Sequence, residues 1–314
     1  MDTITSIEQI EIIKDSVVTI GNFDGLHRGH QVLIKKATEY AKVNNLNSVV
    51  FTFKNHPVNY FRPNSVKNII TNEEKVNILK SMGVDYIISI PFDEYMTKIS
   101  GHDFVKEILL DTLGAKKVIV GHDFTFARNK EGNINLLHEL SKKYNFLLEI
   151  VEPIKLDNIR ISSTYIRNLI SDGSVDKVYK YLGRNYQLSG EVIHSKKLGR
   201  TIGFPTANIR INENMIVPKV GIYVTKVYID KYVYYGATNI GYNPTVNGNT
   251  LSIETNILEF DEDIYGKVIT IEFLERIRDE KKFSGIEELK QQLQKDTNYV
   301  YKKYICKKNK VMIK

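Results

Sequence analysis

The stretch Ser16-Val-Val-Thr-Ile-Gly-Asn-Phe-Asp-Gly-Leu-His-Arg-Gly-His30 decides the fold of the first half of the chain. Residues 16–20 form a short run without charge, rich in β-branched side chains, which reads as a buried strand. Gly21 and Gly25 interrupt it, and an amphipathic pattern from about Gly29 to Lys42 then reads as a helix. A strand that passes through a Gly-rich turn into a helix is suited to phosphate. The glycines admit close backbone approach, and the helix start offers unpaired N–H groups and a positive dipole end. His27 and His30 are three apart, so on a helical turn both imidazoles face one side. There they can donate hydrogen bonds to a phosphoryl group and its leaving pyrophosphate, chemistry that needs positioning and electrostatics more than a covalent nucleophile. The alternative is that both rings only cap and pack the turn.

Working outward, residues 48–53, 86–90, 117–120 and 146–151 read as further strands. Between them lie helical patterns at 71–82, opened by Thr71 with Glu73 and Glu74 in the first turn, and at 101–113 and 134–144. Strands alternating with helices predict βαβ units and a parallel sheet, an α/β domain. Short helices at 164–171 and 175–181 close this half. After Tyr186 the pattern becomes period-two, as at 222–229 and 268–273. The tyrosines shift too, with eleven of the 19 in residues 186–314. This predicts an antiparallel β-barrel, followed by a helix capped by Ser284, running through Glu287 and Glu288 to 294, and another beyond it. The boundary falls near 183–186, giving domains 1–184 and 185–314.

A chain of 314 residues that is 42% hydrophobic and 26% charged has the composition of two globular domains. The lone Cys306 excludes an internal disulfide framework and a Cys-clustered zinc site. The first fifteen residues mix Asp, Glu and one lysine with isoleucines and do not read as a signal peptide, and no apolar run reaches the ~18 residues of a membrane span. A cytoplasmic location and no membrane partner are expected. The net charge of +7 raises the question of an acidic partner. Six of those charges are Lys302, Lys303, Lys307, Lys308, Lys310 and Lys314, which leaves +1 over residues 1–296. The charge is thus mainly a basic tail, and small-molecule substrates rather than nucleic acid are the expected main partners of a monomer or weak homo-oligomer.

Three more segments accompany the first. Ile161-Ser-Ser-Thr-Tyr-Ile-Arg167 places Ser162, Ser163 and Thr164 at a helix start, where hydroxyls and N–H groups hold phosphate oxygens, with Arg167 as a fork-shaped donor one turn on. Plain capping is the competing explanation. His27-Arg28-Gly29-His30 resembles the H-x-G-H signature of the nucleotidyltransferase superfamily. ISSTYIR, GHDFTFARNKEGN (121–133) and FTFKNHP (51–57) resemble motifs of the FMN adenylyltransferase module of bacterial FAD synthetases. The resemblance implies that Gly21, Phe23, Gly25, Ser163 and Thr164 bind ATP and that His27, His30 and Arg167 act on its phosphates. It also implies that Asp123 sits near the reacting flavin phosphate or the metal, with Phe124 and Phe126 as flavin contacts. Core packing is the alternative for Phe126.

In the second half, Leu198-Gly-Arg-Thr-Ile-Gly-Phe-Pro-Thr-Ala-Asn-Ile209 is a Gly-rich loop ending in an extended segment. Thr206 and Asn208 are two apart and point the same way. Their hydroxyl and amide oxygens are hard ligands suited to Mg²⁺, which also retains waters and nucleotide phosphates. The segment resembles the PTAN motif of riboflavin kinases, and the similarity extends through 234–246, 253–260, 264–266 and 277–283. The two motif sets together resemble the bifunctional prokaryotic riboflavin kinase/FAD synthetase family. The resemblance implies a Rossmann-like N-terminal domain and a six-stranded β-barrel, with riboflavin, FMN and ATP as substrates and Mg²⁺ as cofactor. It implies two steps: phosphorylation of riboflavin to FMN in the barrel, then adenylylation of FMN to FAD in the first domain. Gly199, Arg200 and Gly203 would bind ATP, Thr206 and Asn208 the metal, and Asn239 and Arg278 the flavin. The last histidine of the chain is His194, so a carboxylate is the economical base for the kinase step. Glu254 is the position the family uses, although a solvent-facing strand glutamate or a helix-start Arg278 would suit the sequence pattern as well. Two departures stand out: Ser195 where many relatives carry Gly, and Asn256 where many carry His. The rivals are another nucleotidyltransferase, which leaves the barrel motifs idle, and a non-catalytic flavin- or RNA-binding protein, which the intact phosphate motifs disfavour.

Overall fold

In a computed structural model, which describes residues 2–6, 9, 11–194, 202–245 and 248–306, the chain divides into two compact units, 1–163 and 164–314. The first is built on a six-stranded sheet whose pairings are all parallel. Its strands are β1 (Asp2–Ile4), β2 (Ser16–Ile20), β3 (Asn47–Phe53), β4 (Tyr86–Ile90), β5 (Ala115–Gly121) and β6 (Leu147–Val151), in the spatial order β1-β4-β3-β2-β5-β6. From β2 the chain moves outward to β3, and from β5 it moves outward to β6 on the other side. The β2–β5 junction is therefore the topological switch point of the sheet, where a crevice opens at the carboxyl ends of the strands. Strand β2 is buried along its whole length, as both faces of a parallel sheet require, with Ser16 and Thr19 among its apolar residues.

Helices α1 (Arg28–Asn44), α2 (Pro57–Phe61), α3 (Asn72–Ser81), α4 (Glu94–Lys98), α5 (Gly101–Asp103, continued by wider turns over Phe104–Thr112) and α6 (Ile134–Tyr144) connect the strands. Thr71 caps α3 in a capping box with Glu74. A small hairpin, β7 (Lys155–Leu156) and β8 (Ile159–Arg160), follows β6.

Helices α7 (Ser163–Ser171) and α8 (Val175–Leu182) lead into the barrel. Its strands are β9 (Tyr186–Ile193), β10 (Ala207–Ile211), β11 (Gly221–Ile229), β12 (Tyr232–Thr245), β13 (Gly248–Ile257) and β14 (Val268–Arg278). They close antiparallel in the order β10-β13-β12-β11-β14-β9. Val175, Val178, Tyr181 and Leu182 of α8 are buried, and the helix packs on β9 and β14. That packing groups residues 164–182 with the barrel, upstream of the change in sequence pattern at 183–186. Thr225, Thr238 and Thr255 are buried and joined hydroxyl to hydroxyl at 2.8 Å across β11, β12 and β13.

The terminal helix α9 (Ile286–Val300), continued by wider turns over Tyr301–Ile305, starts one residue later than its sequence signal. Gly285 is the capping position, not Ser284. Glu288 reaches back and accepts from both the N–H and the hydroxyl of Ser284.

Candidate functional sites

The turn after β2 lies at the switch point, and its backbone is held in an uncommon shape. Phe23 and Leu26 have left-handed backbone (φ 48° and 42°), and Gly25 has φ 79° against the Ile69 side chain. Left-handed backbone at bulky residues persists only when surroundings enforce it. Here the Asp24 carboxylate accepts from the Ile69 N–H at 2.9 Å, and the Ser163 hydroxyl donates to the Asp24 carbonyl at 2.9 Å. The second bond joins the ISST segment to the Gly-rich turn, so two motifs 139 residues apart meet within the first unit.

His27 is buried and caps α1, its Nδ1 accepting from the His30 N–H at 3.2 Å. A neutral imidazole that accepts at Nδ1 carries its proton on Nε2, which leaves Nε2–H as a donor. The two rings stack with centroids 3.5 Å apart, and Phe23 stands edge-on to His30 at 5.2 Å. Gly29 lies against the pair, and a Cβ there would come within 3.1 Å of the His27 ring. His27 itself has extended backbone (φ −66°, ψ 168°) at the cap position, so the rings share a face through the capping bond rather than through a helical turn.

Asp123 follows β5 at the same edge of the sheet. It forms an ion pair with Arg160 of β8, and His122 Nδ1 lies 3.7 Å from its carboxylate. Burial pushes the carboxyl up, but the Arg160 hydrogen bond and charge, with His122, outweigh it and hold the group below its ordinary value. Arg160 immediately precedes the ISST segment and drew no attention in the sequence, because only the hairpin fold brings it to Asp123. Phe124 is half-buried and stacks on Phe126 with centroids 5.4 Å apart. Phe126 is buried and packs on Phe104, so it belongs to the core. Thr164 and Arg167 lie on α7, in the second unit.

In the barrel, strand register collects three of the predicted residues. Asn208 of β10 is directly opposite Glu254 of β13, and Glu254 is directly opposite Asn239 of β12. Opposed residues of antiparallel strands share a face, so the two amides flank the carboxylate in one row. Thr206 precedes β10 and lines, with Asn208, a cavity of about 280 Å³. Asn256, two positions after Glu254, donates from Nδ2 to the Pro205 carbonyl at 2.7 Å. Gly203 takes left-handed backbone (φ 85°), while Gly199, Arg200 and Ser195 lie outside the described residues. The carboxamide oxygen of Asn239 is buried with no hydrogen-bond partner among the described residues. An oxygen-only set of hydroxyl, amide carbonyl and carboxylate suits a hard divalent cation held jointly with nucleotide phosphates. Among the described residues no cluster of three His, Cys, Asp or Glu forms a self-sufficient metal cage. Arg278, at the end of β14, is engaged by Asp296 of α9 at 2.6 Å, a partner that no local sequence signal indicates.

Comparison with known proteins adds the following. A family model for FAD synthetase matches residues 9–165 and one for riboflavin kinase matches residues 182–304. A bifunctional riboflavin kinase/FMN adenylyltransferase from Buchnera aphidicola subsp. Acyrthosiphon pisum is 36% identical over 303 residues, 95% of this chain and 96% of that one. The Bacillus subtilis protein of the same description is 36% identical over 306 residues, 94% of this chain and 96% of that one. A solved structure from Streptococcus pneumoniae, described as a macrolide-efflux protein, superposes with a TM-score of 0.87 at 32% identity, covering 95% of this chain and 98% of that one. Among the described residues here, no helix is long and apolar enough to cross a membrane.

Proposed function

The chain belongs to the bifunctional riboflavin kinase/FMN adenylyltransferase family, and from that membership we propose how its own residues divide the work. The enzyme phosphorylates riboflavin to FMN and adenylylates FMN to FAD. The observation that supports the residue assignment is a phosphate-handling arrangement in each unit: the stacked His27–His30 pair at the sheet's switch point, and the Asn208–Glu254–Asn239 row in the barrel. We place the border between the two functions at 184/185.

In the kinase step, Glu254 takes the proton from the riboflavin 5′-hydroxyl as that oxygen bonds to the γ-phosphorus of ATP. The bond from the γ-phosphorus to its bridging oxygen breaks and ADP leaves. Gly203, with Gly199 and Arg200, holds the nucleotide, and Asn239 and Arg278 orient the flavin. Thr206 and Asn208 would hold Mg²⁺, which supplies charge neutralisation on the phosphates when it is bound with ATP.

In the adenylyl step, an FMN phosphate oxygen attacks the α-phosphorus of ATP and the bond to the β-phosphate breaks, releasing pyrophosphate. The attacking phosphate is already an anion, so no general base is needed. His27 Nε2–H and His30 donate to the oxygens that gain charge, and the residues of the Gly21–Gly25 turn with Ser163 cradle the phosphates; the family resemblance assigns Thr164 and Arg167 to ATP phosphates as well. Asp123 and Phe124 stand on the flavin side, with Phe126 supporting Phe124 from the core. The enzyme works in the cytoplasm as a monomer or weak homo-oligomer.

The test is direct. The purified protein with riboflavin, ATP and Mg²⁺ is expected to yield FMN and then FAD by chromatography, and formation of neither would refute the assignment.

A further inference from the structure

Lys75 lies outside every motif and every step above, yet among the described residues it is the only lysine or arginine that is buried, at 5% exposure. It projects from α3 and donates from Nζ to the Phe53 carbonyl at 2.8 Å, the Asn22 carbonyl at 3.1 Å and the Thr52 hydroxyl at 3.4 Å. The Thr52 hydroxyl also donates to the Asn22 carbonyl at 3.1 Å. The ammonium thus joins the carboxyl ends of β2 and β3. Burying an ammonium is costly unless a defined set of partners receives it, so its place here requires explanation.

The oxygen it holds belongs to the peptide that enters Phe23, the left-handed residue whose ring meets His30 edge-on. Lys75 therefore bonds to the one end of that peptide, and His30 packs against the side chain at the other. We propose that Lys75 is the positioning residue of the adenylyl-transfer site: without touching substrate, it fixes the Asn22–Phe23 peptide and, through Phe23, the orientation of the imidazole pair. This rests on the reading of His27 and His30 given above.

The charge environment supports the idea. Asp24 from the turn favours the ammonium, and Lys54 and His56 from the segment after β3 line the same pocket, with Glu74 next to it on α3. Burial outweighs Asp24 and lowers the Lys75 ammonium to about 8. The cation therefore predominates at neutral pH and is lost as pH rises through about 8.

The experiment follows FAD formation from added FMN in the full-length enzyme, with riboflavin phosphorylation as internal control. Lys75→Met is expected to lower kcat for FAD formation about tenfold or more, with KM for FMN changed less than about threefold and phosphorylation unchanged. Lys75→Arg, charged throughout, is expected to recover part of that loss. It should hold its rate from about pH 7.5 to 9.5, across which the parent falls. Parental kcat in Lys75→Met, or a Lys75→Arg profile that falls with the parent's over this range, would overturn the proposal. The Lys75→Arg comparison decides the matter even where Lys75→Met fails to fold. His30→Ala is run in parallel: full FAD synthesis there refutes the reading of the site, whereas loss there with parental rates in Lys75→Met refutes the positioning role alone.

Discussion

Asn256 holds Pro205 by a 2.7 Å hydrogen bond from its side-chain amide to the proline carbonyl. A residue two positions past Glu254 thereby fixes the segment one residue ahead of Thr206. The carboxylate proposed to take the proton and the oxygens proposed to hold the metal are kept in step by one bond. Asn256→Ala removes the donor and leaves the Pro205 carbonyl without it, a stability cost of about 1 kcal/mol. Riboflavin phosphorylation should fall about tenfold while FAD formation from added FMN is unchanged. Asn256→His, which keeps an N–H donor, should retain most of the rate. Steady-state kinetics of the two half-reactions check this.

The two activities should separate by mutation. Glu254→Gln keeps the shape of the barrel row but cannot accept a proton, so FMN formation should drop by about two orders of magnitude or more while adenylylation of supplied FMN continues. His30→Ala should do the reverse. Loss of both activities in either folded variant would contradict two independent sites.

Gly29 is packed against the imidazole pair, with room for no Cβ nearer than 3.1 Å to the His27 ring. Gly29→Ala should splay the rings and reduce FAD formation at least about tenfold, although alanine favours the helix it would occupy. Riboflavin phosphorylation, followed on the same preparation, should stay at the parental rate.

The Asp123–Arg160 pair predicts a pH dependence. Asp123 titrates below its ordinary value of 3.8 in the folded protein, so its contribution to stability is complete above that value and is lost as pH falls through the lowered one. Arg160→Gln should move the Asp123 titration upward, measurable by NMR of the carboxyl carbon, and should weaken FAD formation more than FMN formation.

Asp296 is 4% exposed and receives both Arg278 and Gln292. Asp296→Asn leaves the Arg278 guanidinium without its counter-charge and should destabilise the docking of α9 on the barrel by about 2–3 kcal/mol. Thermal unfolding followed by circular dichroism reads the change. If Arg278 also orients the flavin, KM for riboflavin rises as well.

Sequence reading succeeded where a signal is local. The strand at 16–20, the strand at 86–90 and the helix at 134–144 appear with the ends their patterns indicate. The histidine pair does share one face, but through the bond by which His27, extended and outside the helix, caps α1, and not through helix periodicity. Residues whose importance arises from tertiary approach stayed hidden. Lys75 looks like one more helical lysine until the ends of β2 and β3 close over it, and Arg160 acquires Asp123 only through a hairpin. Phe126 illustrates the converse: an aromatic in a motif can equally be core, and burial against Phe104 decides for the core. The three-residue β1 and the five-residue α2 and α4 are too short to produce any periodicity.

The buried threonine chain across β11, β12 and β13 bears on how the barrel assembles. Side chains alternate between faces along a strand, so a slip of β13 by one residue would turn Thr255 outward and drive Glu254 into the interior. The Thr238 hydroxyl would then face Glu254 or Asn256 in place of Thr255, and a carboxylate or an amide would enter an interior lined by Ile240 and Ile253, where each polar group left without a partner costs about 1–3 kcal/mol. An interior of valines would tolerate the shifted pairing far better than these threonines do. The hydroxyl chain thus acts as a registration mark, read once during folding, and misaligned barrels are rejected before an active site exists to be tested.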